Sequence, residues 1–226
     1  MTSKAQTKSM KNTVKHVLSN TFFRRREVLV DLSFRCPIAC PKCQRQIYYT
    51  NHGEKVIGQD LPLESIDKIT NRFKDVAFGG QLSDPIHHPK FIQILEMCNE
   101  KDVNVKVQTA SSFKPTDWYV KAFKAHPKAK WQFGIDGLPE QSSTYRINQD
   151  GEKLFKIMCL AKNYLNTIPI WQCIVFRYNE NNLDSVKQMA KDNGLRLVIM
   201  YSSRWDKEGD KLKPVNKELS LDYETV

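Results

Sequence analysis

The sequence lacks the long apolar runs that mark a membrane span. About 18 consecutive apolar residues are needed, and no run in these 226 residues approaches that. The opening Met1-Thr2-Ser3-Lys4 has no apolar region behind it of the kind that directs secretion. The expectation is therefore a soluble, cytoplasmic protein. Acidic residues are missing from residues 1–26, which carry Lys4, Lys8, Lys11, Lys15, Arg24, Arg25 and Arg26. Those seven positive charges account for most of the formal net charge of +10 and leave +3 for the other 200 residues. The basic signal thus belongs to the N-terminal stretch 1–26, whose first part is an arm over 1–20 available to RNA or an acidic partner, and not to the body of the fold. No cysteine follows Cys173, so no cysteine-rich extension closes the sequence. The hydrophobic fraction of 40% excludes a wholly disordered chain and suffices for a core.

Of the six cysteines, three are scattered in apolar company: Cys98, Cys159 and Cys173. Free cysteine packs as a small hydrophobe, and that is their expected role. The other three form Cys36-Pro-Ile-Ala-Cys40-Pro-Lys-Cys43, a C-x-x-x-C-x-x-C cluster. Thiolates this close point to a shared metal or iron–sulfur centre. A zinc knuckle completed by His52 or another residue is the alternative, although zinc sites favour repeated C-x-x-C pairs.

Strand-like segments alternate with helical ones. Strands are expected at 28–32, 76–78, 103–108, 131–136, 170–176 and 195–201 from their β-branched and aromatic content. Between them run helical periodicities such as Leu63, Ile66, Ile69 and Phe73, and a helix stop at Asn193-Gly194. His87-His88 reads as a loop leading into a helix, and Trp118, Trp131 and Trp171 as packing residues. Repeated βα units imply a parallel sheet. In the third segment Val103, Val105 and Val107 oppose Asn104, Lys106 and Gln108, and in the fourth Trp131, Phe133 and Ile135 oppose Gln132, Gly134 and Asp136. A doubly wound sheet is apolar on both faces. One polar face instead suits an α/β fold built as a partial (β/α)6 TIM-like barrel, parallel strands with helices outside and a polar lumen. The expected domains are the arm at 1–20, the barrel at 21–202 and a loose polar tail at 203–226. Chemistry on such folds gathers at the C-terminal strand ends, where the three cysteines follow the first strand.

These motifs resemble the radical SAM superfamily over about residues 27–202. The resemblance rests on the three cysteines, on Phe78-Gly79-Gly80-Gln81-Leu82-Ser83-Asp84-Pro85 after the second strand, and on Phe133-Gly134-Ile135-Asp136-Gly137-Leu138 with Thr144-Tyr145-Arg146 behind it. The chain departs from the family in having Lys42 where an aromatic residue is usual, and Gln81 where a glutamate commonly ends the glycine motif. The resemblance implies a [4Fe–4S] cluster on Cys36, Cys40 and Cys43, with S-adenosylmethionine (SAM) on the iron they leave open. It implies SAM contacts from Gly79, Gly80, Gln81, Ser111, Gln132, Asp136 and Arg146. It further implies reductive SAM cleavage to a 5′-deoxyadenosyl radical, hydrogen abstraction from a peptide or small molecule, and an electron donor such as flavodoxin or ferredoxin. RNA modification is a rival within the same chemistry, and a zinc-stabilised nucleic-acid-binding module lies outside it. Lys106, Arg177 and Tyr201 stand on or near strands, where an anionic substrate would meet them.

Overall fold

A computed structural model describes residues 27–80, 82–202 and 209–216, together with the backbone of 224–225. Gln81 and the basic arm lie outside the described residues. Six parallel strands run in chain order across one sheet: β1 (Glu27–Val30), β2 (Asp75–Phe78), β3 (Asn104–Thr109), β4 (Lys130–Gly134), β5 (Ile170–Val175) and β6 (Arg196–Tyr201). A seventh, β7 (Glu224–Thr225), pairs antiparallel with β6, Val198 opposite Thr225. The sheet is an incomplete barrel, as sequential βα units with an unclosed edge require. Among the described residues, no helix is long and apolar enough to cross a membrane.

Among the described residues six helices accompany the strands: α1 (Gln44–His52), α2 (Leu63–Arg72), α3 (Phe91–Glu100), α4 (Thr116–Ala125), α5 (Gly151–Ala161) and α6 (Leu183–Asp192). The last four each bury an apolar stripe, such as Phe91, Ile94, Leu95 and Cys98 on α3, while α2 buries Ile66 and Thr70. Asp150 caps α5 by accepting from the Lys153 amide at 2.9 Å. The core lies between these stripes and the outward strand face. Trp131, Trp171, Phe78, Phe91, Phe123 and Phe133 are all fully buried there. A buried tryptophan removes roughly 200 Å² from water, about 5 kcal/mol of driving force. The Trp171 indole donates to the Ile135 carbonyl at 2.8 Å, so its burial leaves no orphan donor and fixes the end of β4 against β5.

The alternation read from the sequence holds. Val105 and Val107 face the core, while Gln108, Gln132 and Gly134 line an interior cavity. Two stretches differ from expectation. α1 follows Cys43 directly and buries none of its residues, so no apolar period marks it in the sequence. Residues 209–216, within the stretch expected to be a loose tail, are tied to the barrel. Arg177 donates its amide to the Leu212 carbonyl at 3.0 Å and its Nε to the Lys213 carbonyl at 3.1 Å. Glu180 accepts from the Val215 and Asn216 amides. Asp210 pairs with Lys42 at 2.7 Å.

Candidate active site at the mouth of the barrel

Cys36, Cys40 and Cys43 form no disulfide among the described residues, are half-buried, and all three line one cavity of about 490 Å³ at the C-terminal ends of the strands. That volume suits a small-molecule site. The loop that carries them is held from both sides. The Ala39 amide donates to Ile147 O at 3.0 Å, and the Asn148 side chain donates to Pro37 O at 3.3 Å. Asp84 donates its own amide to Arg35 O at 3.0 Å. Cys43 caps α1, and its carbonyl accepts from Ile47.

The glycine segment is organised by two carboxylates. Asp31, just past β1, accepts from the Leu82 amide at 3.4 Å and the Ser83 hydroxyl at 3.1 Å. Asp84 is buried and accepts from Thr109 Oγ1 at 2.9 Å and from the Ala110, Ser111 and Ile86 amides at 2.8, 3.0 and 3.3 Å. It therefore welds the glycine loop to the end of β3. Burial pushes its carboxyl up, and these donors pull it back. Gly80 lies in the cavity wall where the backbone folds on itself. A Cβ there would fall 1.6 Å from the Ser83 carbonyl oxygen, so no other residue fits this path.

The structure divides the candidate SAM residues. Gly80, Gln132 and Arg146 line the cavity with the cysteines. Gly79 is buried beneath it, with Gln108 Oε1 2.4 Å from where a Cβ would stand. Ser111 does not line the cavity; it is fully buried, and its hydroxyl lies 2.7 Å from His87 Nε2. Asp136 is also fully buried and does not line the cavity. Its carboxylate pairs with Arg146 at 2.8 Å and accepts from the Ile174 amide at 2.8 Å. The close approach of the Arg146 guanidinium requires glycine at 134, where a Cβ would lie 2.7 Å from Nη2. Burial alone would lower Arg146, but the charge of Asp136 beside it more than reverses this, so the guanidinium stays protonated. Asp136 thus acts on the cavity through Arg146.

Sequence reasoning missed Arg45, Gln108 and Gln172, which also line the cavity. Arg45 donates to the Ile38 carbonyl, while its buried Nε has no hydrogen-bond partner. Burial raises the Cys36 thiol to about 12 and Cys40 to about 11, with Asp84 adding to the first. Arg45 opposes both shifts, and Arg146 opposes the second. Two guanidinium groups therefore stand ready to stabilise negative charge on the thiols. Among the described residues no three His, Cys, Asp or Glu side chains are grouped to ligate a single metal ion. His52 does not line the cavity; it sits at the end of α1 and packs on Tyr48 with ring centres 4.5 Å apart. Cys98 and Cys173 are core residues, and Cys159 on α5 meets Asn193. Arg177 is engaged with residues 212–213, Lys106 does not line the cavity, and Tyr201 does.

Six sequential parallel strands in an unclosed sheet are a fold that this chain shares with solved radical SAM enzymes. Among solved structures, SuiB of Streptococcus suis bound to S-adenosylmethionine superposes with a TM-score of 0.67 at 14% identity, over 96% of this chain and 50% of that one. SuiB bound to its precursor peptide SuiA gives 0.63 at 11%, over 87% and 44%. A radical SAM methyltransferase from Sphaerobacter thermophilus gives 0.58 at 9%, over 86% and 60%. The chain thus spans about half the length of these neighbours, and at such identities the likeness is one of fold. No protein-family model matches the chain, and no curated protein matches it in sequence.

Proposed function

We propose that this chain is a radical SAM enzyme acting on a peptide or a small molecule. The observation that carries the reading is the convergence of all three motif cysteines on one cavity of a radical SAM fold. The donor set fits a [4Fe–4S] cluster. Three thiols face the cavity without a fourth, and the unpartnered Arg45 Nε beside them suits an anionic group. Zinc would draw its sulfurs to within about 4 Å of one another, given bonds of about 2.3 Å in a tetrahedron. A cluster takes each thiolate on a different iron and asks for no such point of convergence. A cluster held by these thiolates would supply the one electron that reductive cleavage of SAM requires, and that cleavage would supply the radical for hydrogen abstraction from substrate.

The protein's own part is binding, orientation and exclusion of water. Cys36, Cys40 and Cys43 hold the cluster. Gly79 and Gly80 bring backbone groups up to the methionyl end of SAM, with Gln81 next in sequence. Arg146, held by Asp136, presents its guanidinium to the SAM carboxylate. Ser111 supports the same rim through His87 rather than touching SAM. Gln132 faces the lumen below. An electron donor such as flavodoxin or ferredoxin would reduce the cluster. The bound S-adenosylmethionine in one SuiB structure and the precursor peptide in another support the choice of cofactor and of a peptide substrate.

Anaerobic reconstitution tests the cluster. The reading expects brown protein with about four irons and four sulfides per chain, lost on changing Cys36, Cys40 or Cys43 to Ala. The same treatment of Cys98→Ala, Cys159→Ala or Cys173→Ala should retain them, since these residues pack away from the cavity. Colourless, zinc-loaded protein would overturn the reading.

A further inference from the structure

The mouth of the cavity is charged, and its floor is not. Arg45, Arg146, Asp84 and the three cysteines all stand at or above the strand ends. Below them, on β3, β4 and β5, the lumen is lined by Gln108, Gln132 and Gln172. Gln108 is directly opposite Gln132 in the β3–β4 register, and Gln172 is opposite Gly134, one step up the lumen face of β4. The Gln132 amide donates to Gln172 Oε1, joining the two across the strands. That is the one hydrogen bond these three side chains make among the described residues. Each carboxamide offers two donor hydrogens and an acceptor oxygen, so the row keeps most of its capacity for a guest. Lys106 is one step further down β3 on the same face but does not line the cavity. Its charge sits with Glu27, Arg196 and Lys130 near the opposite end of the barrel.

The geometry points to a substrate subsite for an uncharged amide, the backbone or carboxamide of a peptide, on the Gln108–Gln132–Gln172 row. The inference rests on the proposed radical chemistry only for what happens to the guest, not for its binding. The cation nearest the row, Arg146 over Gly134, is already paired with Asp136 at 2.8 Å, so an ionised group beside Gln108 and Gln132 would lose its hydration with little opposite charge to meet it. An amide both donates and accepts, as the row does, and its desolvation is repaid bond for bond. A nucleobase is the weaker fit, because single-stranded bases are held by stacking on aromatic faces. Of the three rings that line the cavity, Tyr145, Phe176 and Tyr201, the first two stack on each other at 4.3 Å, and Phe176 stacks again on Tyr178 at 5.6 Å, which closes those faces to a base.

The test uses two probes of one size, N-acetylglutamine amide, which is uncharged, and N-acetylglutamate, which is anionic. Binding to the reconstituted full-length chain with SAM present is measured by titration calorimetry or saturation-transfer NMR. A fragment of about a dozen heavy atoms should bind with a Kd on the order of 1 mM. The diamide should bind at least tenfold more tightly than the dianion, and Gln132→Leu and Gln172→Leu should each weaken it at least tenfold. Gln172→Glu, which keeps the length, serves if the leucine variants unfold, and should weaken the diamide likewise. Equal binding of the two probes, indifference to all three substitutions, or failure of the diamide to bind would overturn the proposal. So would displacement of the diamide by a short single-stranded RNA whose own binding is lost in the same variants. SAM cleavage by the reduced wild-type protein is followed in parallel. Cleavage without diamide binding overturns the subsite alone, whereas diamide binding without cleavage overturns the radical reading and leaves the subsite standing.

Discussion

Replacing Asp136 by alanine strands a buried positive charge. Its carboxylate is fully buried, pairs with Arg146 at 2.8 Å, and accepts from the Ile174 amide at 2.8 Å. The Arg146 side chain is only 11% exposed, so water cannot replace the lost partner. Breaking a buried pair from one side costs about 3–5 kcal/mol. With a urea m-value of about 2 kcal/mol/M, the midpoint should fall by about 2 M. Thermal unfolding should fall by about 6–20 °C, at about 2–4 °C per kcal/mol for a domain of this size. The assay is urea unfolding followed by tryptophan fluorescence, since Trp131 and Trp171 lie in the core. The matching double variant, Asp136→Leu with Arg146→Met, removes both charges and should recover most of the loss. A single-variant loss below about 1 kcal/mol, or a double variant no better than the single, would refute the argument that this pair is a buried, mutually dependent unit.

Other outcomes follow from the same structure. Gly80→Ala should cut SAM affinity at least tenfold in equilibrium binding, because its Cβ would strike the Ser83 carbonyl and displace the loop. Unchanged affinity would detach that loop from the cofactor. Burial and the charge of Lys114 lower His87 to about 4, so the unfolded chain takes up its proton first as the solution is acidified. Stability should therefore fall between about pH 6.5 and 4, by no more than about 2 kcal/mol for a side chain still partly exposed, and His87→Asn should remove that slope. A wild-type slope that survives in His87→Asn would assign the titration elsewhere. Lys42→Ala should free residues 209–216, read as faster amide exchange at Leu212 and Lys213, since it removes the 2.7 Å pair with Asp210. Unchanged exchange would leave Arg177 and Glu180 as sufficient anchors.

The fold was legible because burial writes itself into strands as alternation. Val103, Val105 and Val107 against Asn104, Lys106 and Gln108 distinguish a covered face from a lumen face without any coordinates. The cysteine cluster was legible because three thiols in eight residues are chemically unusual. What the sequence concealed depended on contacts between distant residues. Asp136 alternates onto the lumen face of β4, yet the chain turns past Gly134 and hands its carboxylate to Arg146, ten residues on. α1 has no buried side chain, so it leaves no periodicity to read. The glutamine row was within reach of the parity argument, which had already set Gln108 and Gln132 on one face. Gln172 needed the β4–β5 register, fixed only by the pairing of Gly134 with Gln172. Residues 209–216 read as tail because a polar strap held by backbone carbonyls and two charges has the composition of a loose one.

The most direct measurement is SAM cleavage by the full-length chain, reconstituted anaerobically with iron and sulfide and reduced with dithionite. The account predicts 5′-deoxyadenosine and methionine in equal amounts from the wild type, and none from Cys36→Ala, Cys40→Ala or Cys43→Ala. Iron-loaded wild-type protein that leaves SAM intact, or cleavage that persists in a Cys40→Ala variant, would contradict it.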